Sequence, residues 1–243
     1  DIPFPDVATR YAPMAEAFSV GNWEFAFHPR IPPVFPALAG CIAYILQTDG
    51  FLACKVASAM MLCLGVFPLW GAVKNIYGER HAITAICLYC GCSYLLRLGY
   101  GGIRETTSCF GILISYYGMS QLYRNKNSLT GLVCFACGSS ILLLNRGDLI
   151  LFLFFSGIIL FVWDICKHII PWRMVLTAAI IFLSIFPWLC YNYIQIGYPV
   201  TDVRHAAAIR FMERKCKFVF PCNPNPRMKL DINMPGMEGA PHE

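Results

Sequence analysis

FLACKVASAMMLCLGVFPLWGAV, residues 51–73, is the stretch that decides the fold. Lys55 is its one charge and lies near its start, where a long side chain can bend back to an interface. As a helix rising about 1.5 Å per residue, the stretch reaches roughly 34 Å, enough for a hydrocarbon core of ~30 Å. The rest of the 243-residue chain has the same character: 57% of residues are hydrophobic, 14% are charged and mean hydropathy is +0.56. An average soluble domain carries about 25% charge, so a soluble globule could not cover its surface with this composition. It also excludes a disordered chain and a small disulfide-stapled secreted domain. The net charge of +5 comes from thinly scattered bases. They form no cluster that would track a phosphate backbone, so nucleic acid is not an expected partner.

Downstream, a polar turn from Asn75 to Arg80 leads into an apolar run, His81 to Leu98, with Arg97 at its far end. Tyr100-Gly101-Gly102 breaks the chain before Thr106 to Tyr123. The basic loop Arg124 to Asn127 precedes Ser128 to Leu144, and Asn145-Arg146-Gly147-Asp148 closes that run. Leu149 to Cys166 and Met174 to Tyr193 follow, separated by a loop containing Pro171. With residues 51–73 this makes six expected crossings. Upstream, Asp49-Gly50 marks a turn. Val34 to Gln47 is apolar but spans only about 21 Å as a helix, which suits an interfacial or re-entrant segment. Pro29, Pro32 and Pro33 forbid a regular helix before it. Met14 and Phe18 lie four apart in Ala12 to Ser19, the pattern of a short helix on a membrane surface. The expected fold is all-α: an outer-face loop with interfacial helices at 1–50, a transmembrane bundle at 51–195 and an outer-face polar tail at 196–243.

Basic residues concentrate in cytoplasmic loops of membrane proteins. Loops 74–80, 124–127 and 167–173 hold Lys74, Arg80, Arg124, Lys126, Lys167 and Arg173 against Glu79, whereas the alternate ends show a weaker excess. The first set is therefore assigned to the cytoplasm, and the N-terminal segment and the tail to the outside. The outer face then collects Asp6, Arg10, Glu24, His28, Arg30, Arg97, Arg104, Glu105, Arg146 and Asp148. Ionisable groups beside a membrane are costly and mark functional sites, although helix ends also carry charge simply to mark the interface. Two carboxylates here could bind a divalent cation or deprotonate a hydroxyl, and arginines could grip a phosphate through paired bonds.

In order and spacing these residues resemble the GT-C superfamily of membrane glycosyltransferases, in the branch of protein mannosyltransferases, aminoarabinose transferases and RgtA/B/C/D-like relatives. The pieces are Asp6, Arg10-Tyr11, Ala15, Gly21, His28 and Pro32-Pro33 in the first loop, then Gly50 and a span beginning near Lys55. Further on come Gly78, Glu105 opening a helix, Gly131-Leu132, Leu144-Asn145-Arg146-Gly147-Asp148, and Pro187-Trp188 followed by Asn192. The resemblance covers roughly Asp6 to Asn192. It departs from the family pattern at Val7, where an acid usually follows the first Asp, and in the spread-out His28 to Pro33 segment. It implies a first membrane helix before Asp1 and a further C-terminal part, so the chain is expected to be a piece of a longer protein.

The resemblance implies a GT-C-like helix bundle that moves a sugar, hexose or pentose, from a polyprenyl-phosphate donor to a hydroxyl on a lipid, glycan or protein. The expected setting is the outer face of a bacterial inner membrane, in a multi-pass protein surrounded by membrane lipids. Asp6 would be the base and Glu105 the second acid, and the pair would hold any divalent Mg or Mn. Arg10, Tyr11, His28, Arg97, Arg104 and Arg146 would bind the donor; Arg146 rests on a motif, Arg97 and Arg104 on topology. The alternatives are a transporter or flippase without catalysis, which would place charge near mid-membrane in broken helices, and a noncatalytic scaffold. The cysteine spacings Cys87-x-x-Cys90-x-Cys92 and Cys134-x-x-Cys137 fall in apolar runs and are read as small hydrophobes. Cys216 and Cys222 could form a disulfide in an oxidising compartment. Trp70, Trp163, Trp172 and Trp188 are read as an interfacial aromatic belt.

Overall fold

The structure, a computed structural model, describes residues 4–29, 31–125, 128–149, 153–159, 162 and 172–201. A π-helical turn at Val7–Tyr11 runs into α1 (Ala12–Ser19), followed by α2 (Trp23–Ala26), α3 (Val34–Leu46), α4 (Gly50–Tyr77) and α5 (Glu79–Gly91). Next come α6 (Ser93–Gly101), α7 (Glu105–Arg124), α8 (Leu129–Asn145), a 3-10 turn at Gly147–Leu149 and α9 (Trp172–Ile196). Among the described residues no strand is present; a single bridge pairs His28 with Ile31.

Side-chain caps fix the starts of α2, α4 and α8, the first through Asn22 Oδ1, which accepts from Phe25 N at 3.4 Å. The Asp49 carboxylate accepts from Leu52 N at 2.8 Å to open α4, and Ser128 Oγ accepts from Gly131 N at 3.0 Å to open α8. Both match turns read from the sequence. Gly50 touches the Ala12 backbone so closely that a Cβ there would collide with it, and Gly50 N donates to Glu16 Oε1 at 3.0 Å. These contacts pin α1 to the head of α4. Around them Val7, Tyr11, Met14, Phe35, Ala39, Ala53, Cys54, Ala57, Leu98 and Ile103 form one apolar cluster. The N-terminal segment is thus part of the core at this end of the bundle.

Among the described residues two helices are long and apolar enough to cross a membrane, Gly50–Tyr77 and Val175–Ile196, and the pair α5–α6 passes the same test as one bent unit. They support a membrane protein. The remaining expected crossings differ from the sequence reading for physical reasons. His81 to Leu98 is not one helix: Cys92 takes an extended conformation, and the two halves meet at 56°. Ser128 to Leu144 forms α8, whose 17 residues reach only about 25 Å. Thr106 to Tyr123 forms α7, which reaches about 30 Å but is diluted by Thr106, Thr107, Ser108, Ser115 and Ser120, all buried. Half of Leu149 to Cys166 lies outside the described residues, as do Arg30, Cys216 and Cys222.

α7 packs between α4 and α8. Its seam with α8 is lined by small residues, the device by which helix backbones approach closely without a hydrophobic drive. A Cβ on Gly138 would sit 2.5 Å from Ser115 Oγ and 2.7 Å from Gly111 O, and one on Gly118 would collide with the Phe135 backbone. The Ser115 hydroxyl donates to Gly111 O in its own helix at 2.9 Å, so its burial leaves no unmet donor.

At one end of the bundle Arg124 Nη1 meets Asn75 Oδ1 at 3.5 Å, Asn75 Nδ2 donates to Ser120 Oγ at 3.0 Å, and Lys74 pairs with Glu79 at 3.7 Å. Loop 74–80 and the end of α7 therefore share a side, as the charge alternation requires. The start of α7 and the end of α8 lie at the other. At the last helix the belt assignment needs a correction. Trp188 is 4% exposed and donates through Nε1 to Thr201 O at 3.1 Å, so it is a packing residue rather than an interfacial one. Asn192 Nδ2 donates to Val200 O at 2.6 Å and Tyr191 Oη to Phe27 O at 2.8 Å. The sequence Pro187-Trp188…Asn192 thus ties the segment after α9, and the exit of α2, to the end of α9. Lys74 Nζ lies 4.3 Å from the ring centroid of Trp70; Trp163 and the side chain of Trp172 lie outside the described residues.

Candidate functional site

Three routes of the chain converge at the end of the bundle that holds the N-terminal segment. The π-helical turn at Val7–Tyr11 brings Asp6 and Tyr11. Helix α6 brings Tyr94 and Arg97, three apart and so on one face. The start of α7 and the end of α8 bring Glu105 and Arg146. These six side chains line one cleft of about 590 Å³, together with Phe4, Pro5, Leu98 and Ile103. Gly102 makes the convergence possible: at φ +71° it turns the chain from α6 toward α7 against the backbone of Cys54 and Lys55. Ser58 Oγ donates to Ile103 O at 2.9 Å and fixes that turn onto α4.

The cleft is lined by two carboxylates and two guanidiniums. Arg146 Nη1 lies 3.7 Å from Glu105 Oε1, with both side chains about one-third exposed. Asp6 Oδ1 lies 3.0 Å from Nη1 of Arg10, one helical turn on. That pair is open to solvent, so it orients the carboxylate and adds little to stability. Arg97 is exposed on the cleft and forms no ion pair among the described residues. Tyr11 is 4% exposed, its ring edge-on to Phe35 at 5.2 Å. Burial pushes its phenol up to about 12, with Arg104 opposing and Glu105 and Asp6 adding to the shift. Tyr11 is therefore a neutral hydroxyl at any working pH, fit to donate a hydrogen bond and unfit to act as a base. An unfolded tyrosine ionises near 10.0 and the folded one only near 12. The unfolded state sheds its proton first, so this residue's contribution to stability falls as pH rises through that window.

Of the eight residues singled out in the sequence, Asp6, Tyr11, Arg97, Glu105 and Arg146 line the cleft, and Arg10, His28 and Arg104 do not. Arg10 is turned to Asp6. His28 lies beside the proline-rich segment, its backbone bridged to Ile31. Arg104 directs Nη1 to Asn145 O at 3.4 Å. Two polar residues that now matter, Tyr94 and Asn145, were not selected from the sequence. The spacing of Tyr94 to Arg97 was the available signal for the first. Asn145 carried none beyond its place beside Arg146.

Whether the cleft fits a divalent cation is decided by its donors. The two carboxylates are each matched to a guanidinium, and no group of three His, Cys, Asp or Glu side chains converges among the described residues. Hard cations want several oxygen ligands and no competing cations beside them. This donor set does not fit one. It fits a phosphate anion better, since guanidiniums recognise phosphate through paired N–H bonds.

The family model described as dolichyl-phosphate-mannose-protein mannosyltransferase matches residues 28–191, a stretch that contains Arg97, Glu105 and Arg146 and begins after Asp6 and Tyr11. No curated protein and no solved structure matches the chain.

Proposed function

Because the chain belongs to the dolichyl-phosphate-mannose-protein mannosyltransferase family, we propose that it transfers a sugar from a polyprenyl-phosphate donor to a hydroxyl acceptor at the outer face of a membrane. The observation that carries this reading is the shared cleft of Asp6, Glu105, Arg97 and Arg146 at one end of an apolar helix bundle. Arg97 and Arg146 hold the donor phosphate. Asp6 takes the proton of the acceptor hydroxyl as its oxygen attacks the anomeric carbon. The bond from that carbon to the phosphate oxygen breaks, and its electron pair leaves with the lipid phosphate. The two guanidiniums offset the charge that develops there, where a fixed pair of cations beside an apolar bundle acts more strongly than in water. Attack opposite the leaving group inverts the anomeric centre. Glu105 keeps Arg146 aimed into the cleft, and Tyr94 and the Tyr11 hydroxyl offer the sugar an aromatic face and a donor.

The acceptor is a lipid, glycan or protein hydroxyl, and the setting is a multi-pass protein of a bacterial inner membrane with the cleft facing outward. A transporter would concentrate its polar groups where helices break at mid-membrane. The break between α5 and α6 is made of Gly91, Cys92 and Ser93, with no charge, and the ionisable groups gather at helix ends. The test is transfer of radiolabelled sugar from polyprenyl-phosphate hexose or pentose by the purified full-length protein in vesicles. Label in a hydroxyl-linked product is expected. Movement of intact donor across the bilayer with no product would replace this reading by the flippase.

A further inference from the structure

Glu105 and Arg146 stand on different helices, and each is preceded by a residue that bonds the other helix. Arg104 comes just before α7, and Asn145 ends α8. Asn145 is 1% exposed, and both hydrogens of its amide are used: Nδ2 donates to Arg104 O at 2.8 Å and to Ser108 Oγ at 2.6 Å. Arg104 Nη1 returns a bond to Asn145 O at 3.4 Å. The cross-link is therefore reciprocal, side chain to backbone in both directions. Its amide orientation is set by chemistry, because the oxygen could not face the Arg104 carbonyl without repulsion. One residue further along each helix, the Glu105–Arg146 pair closes the same junction.

The junction is not built for stability alone. Asn145 Oδ1 and Arg104 Nε are both buried without a partner, and a buried polar atom left unpaired costs free energy that an apolar side chain of similar volume would avoid. An apolar residue would seal the end of α8 without the orphaned oxygen, but it could not hold α7 in register.

We propose that Asn145, acting through Arg104 and Ser108, is a positioning residue that fixes Glu105 and Arg146 relative to each other at the mouth of the cleft. The inference rests on the proposed sugar-transfer reading of that cleft. It predicts that Asn145→Leu, which removes both donated bonds, lowers kcat for transfer about 10²-fold, the scale of a misplacement near 1 Å. Ser108→Ala removes one bond without disturbing the helix end and should lower kcat a few-fold. That variant keeps the inference testable if Asn145→Leu does not fold. The discriminating readout is a double-mutant cycle with Glu105→Gln. If Asn145 works by placing Glu105 and Arg146, either substitution should cost much less in the Glu105→Gln background than in wild type. Full additivity, or a wild-type rate in both single variants, would overturn the positioning role while leaving the function of the cleft intact. If Glu105→Gln itself transfers at the wild-type rate, the role of Glu105 falls, and the positioning role falls with it.

Discussion

Asp6→Asn is expected to lower sugar transfer roughly 10²–10⁴-fold, the cost of removing a general base. The substitution keeps the shape of the side chain and removes its charge and basicity. The fold should survive, because Asp6 is exposed and its ion pair to Arg10, at 3.0 Å, is too open to solvent to matter for stability. Binding of the donor should also survive, since the phosphate is held across the cleft by other residues. The measurement is the initial rate of transfer at saturating donor, set beside donor affinity from a competition assay. A large fall in kcat at constant affinity identifies Asp6 as the base. A wild-type rate would remove it from the chemistry, whatever its place in the cleft.

Arg146 should show the opposite split. Arg146→Ala removes a fork that can bond two phosphate oxygens and leaves Glu105 without its partner at 3.7 Å. We expect a loss of about 10²–10³-fold in kcat/KM, in the range found when one preorganised donor to a developing charge is deleted. Arg146→Lys keeps the charge and loses the fork, so it should fall between wild type and alanine. The ordering matters more than either value, because a site that needed only positive charge would accept lysine fully. Equal activity of all three proteins would mean that the phosphate is held elsewhere.

The fold was partly legible in the sequence because its largest signals are compositional. Residues 51–73 can hardly be anything but a long apolar helix, and Asp49 and Ser128 marked helix starts that the structure confirms through their caps. The bend at Cys92 was not legible. Nothing in Gly91-Cys92-Ser93 forbids a helix, and what separates the halves is packing: α5 and α6 each lie against α4 in their own direction. The true character of α7 was also hidden, because hydropathy treats Ser115 as a polar residue whereas Gly138 and Gly111 make it part of a tight seam. Trp188 looked interfacial because its neighbours are apolar; its hydrogen bond to Thr201 depends on a turn that no local pattern announces.

The site shows the same division. Topology could say which charges share an end of the bundle, and five of the eight selected residues line one cleft. It could not say which arginines face the cleft, because that depends on neighbours distant in sequence. Arg97 faces it because Tyr94, Leu98 and the Gly102 turn orient α6. Arg104 does not, because Asn145, 41 positions away, takes its guanidinium and its carbonyl.

The central claim is that the cleft between Asp6, Arg97, Glu105 and Arg146 receives the phosphate of a lipid-linked sugar. The direct measurement is a structure of the full-length protein in a lipid nanodisc with polyprenyl-phosphate sugar bound. The phosphate should lie within about 3 Å of guanidinium nitrogens of Arg97 and Arg146, with the anomeric carbon turned toward Asp6. A phosphate at the opposite end of the bundle, beside Lys74 and Arg124, or one beyond reach of both cleft arginines, would contradict the claim.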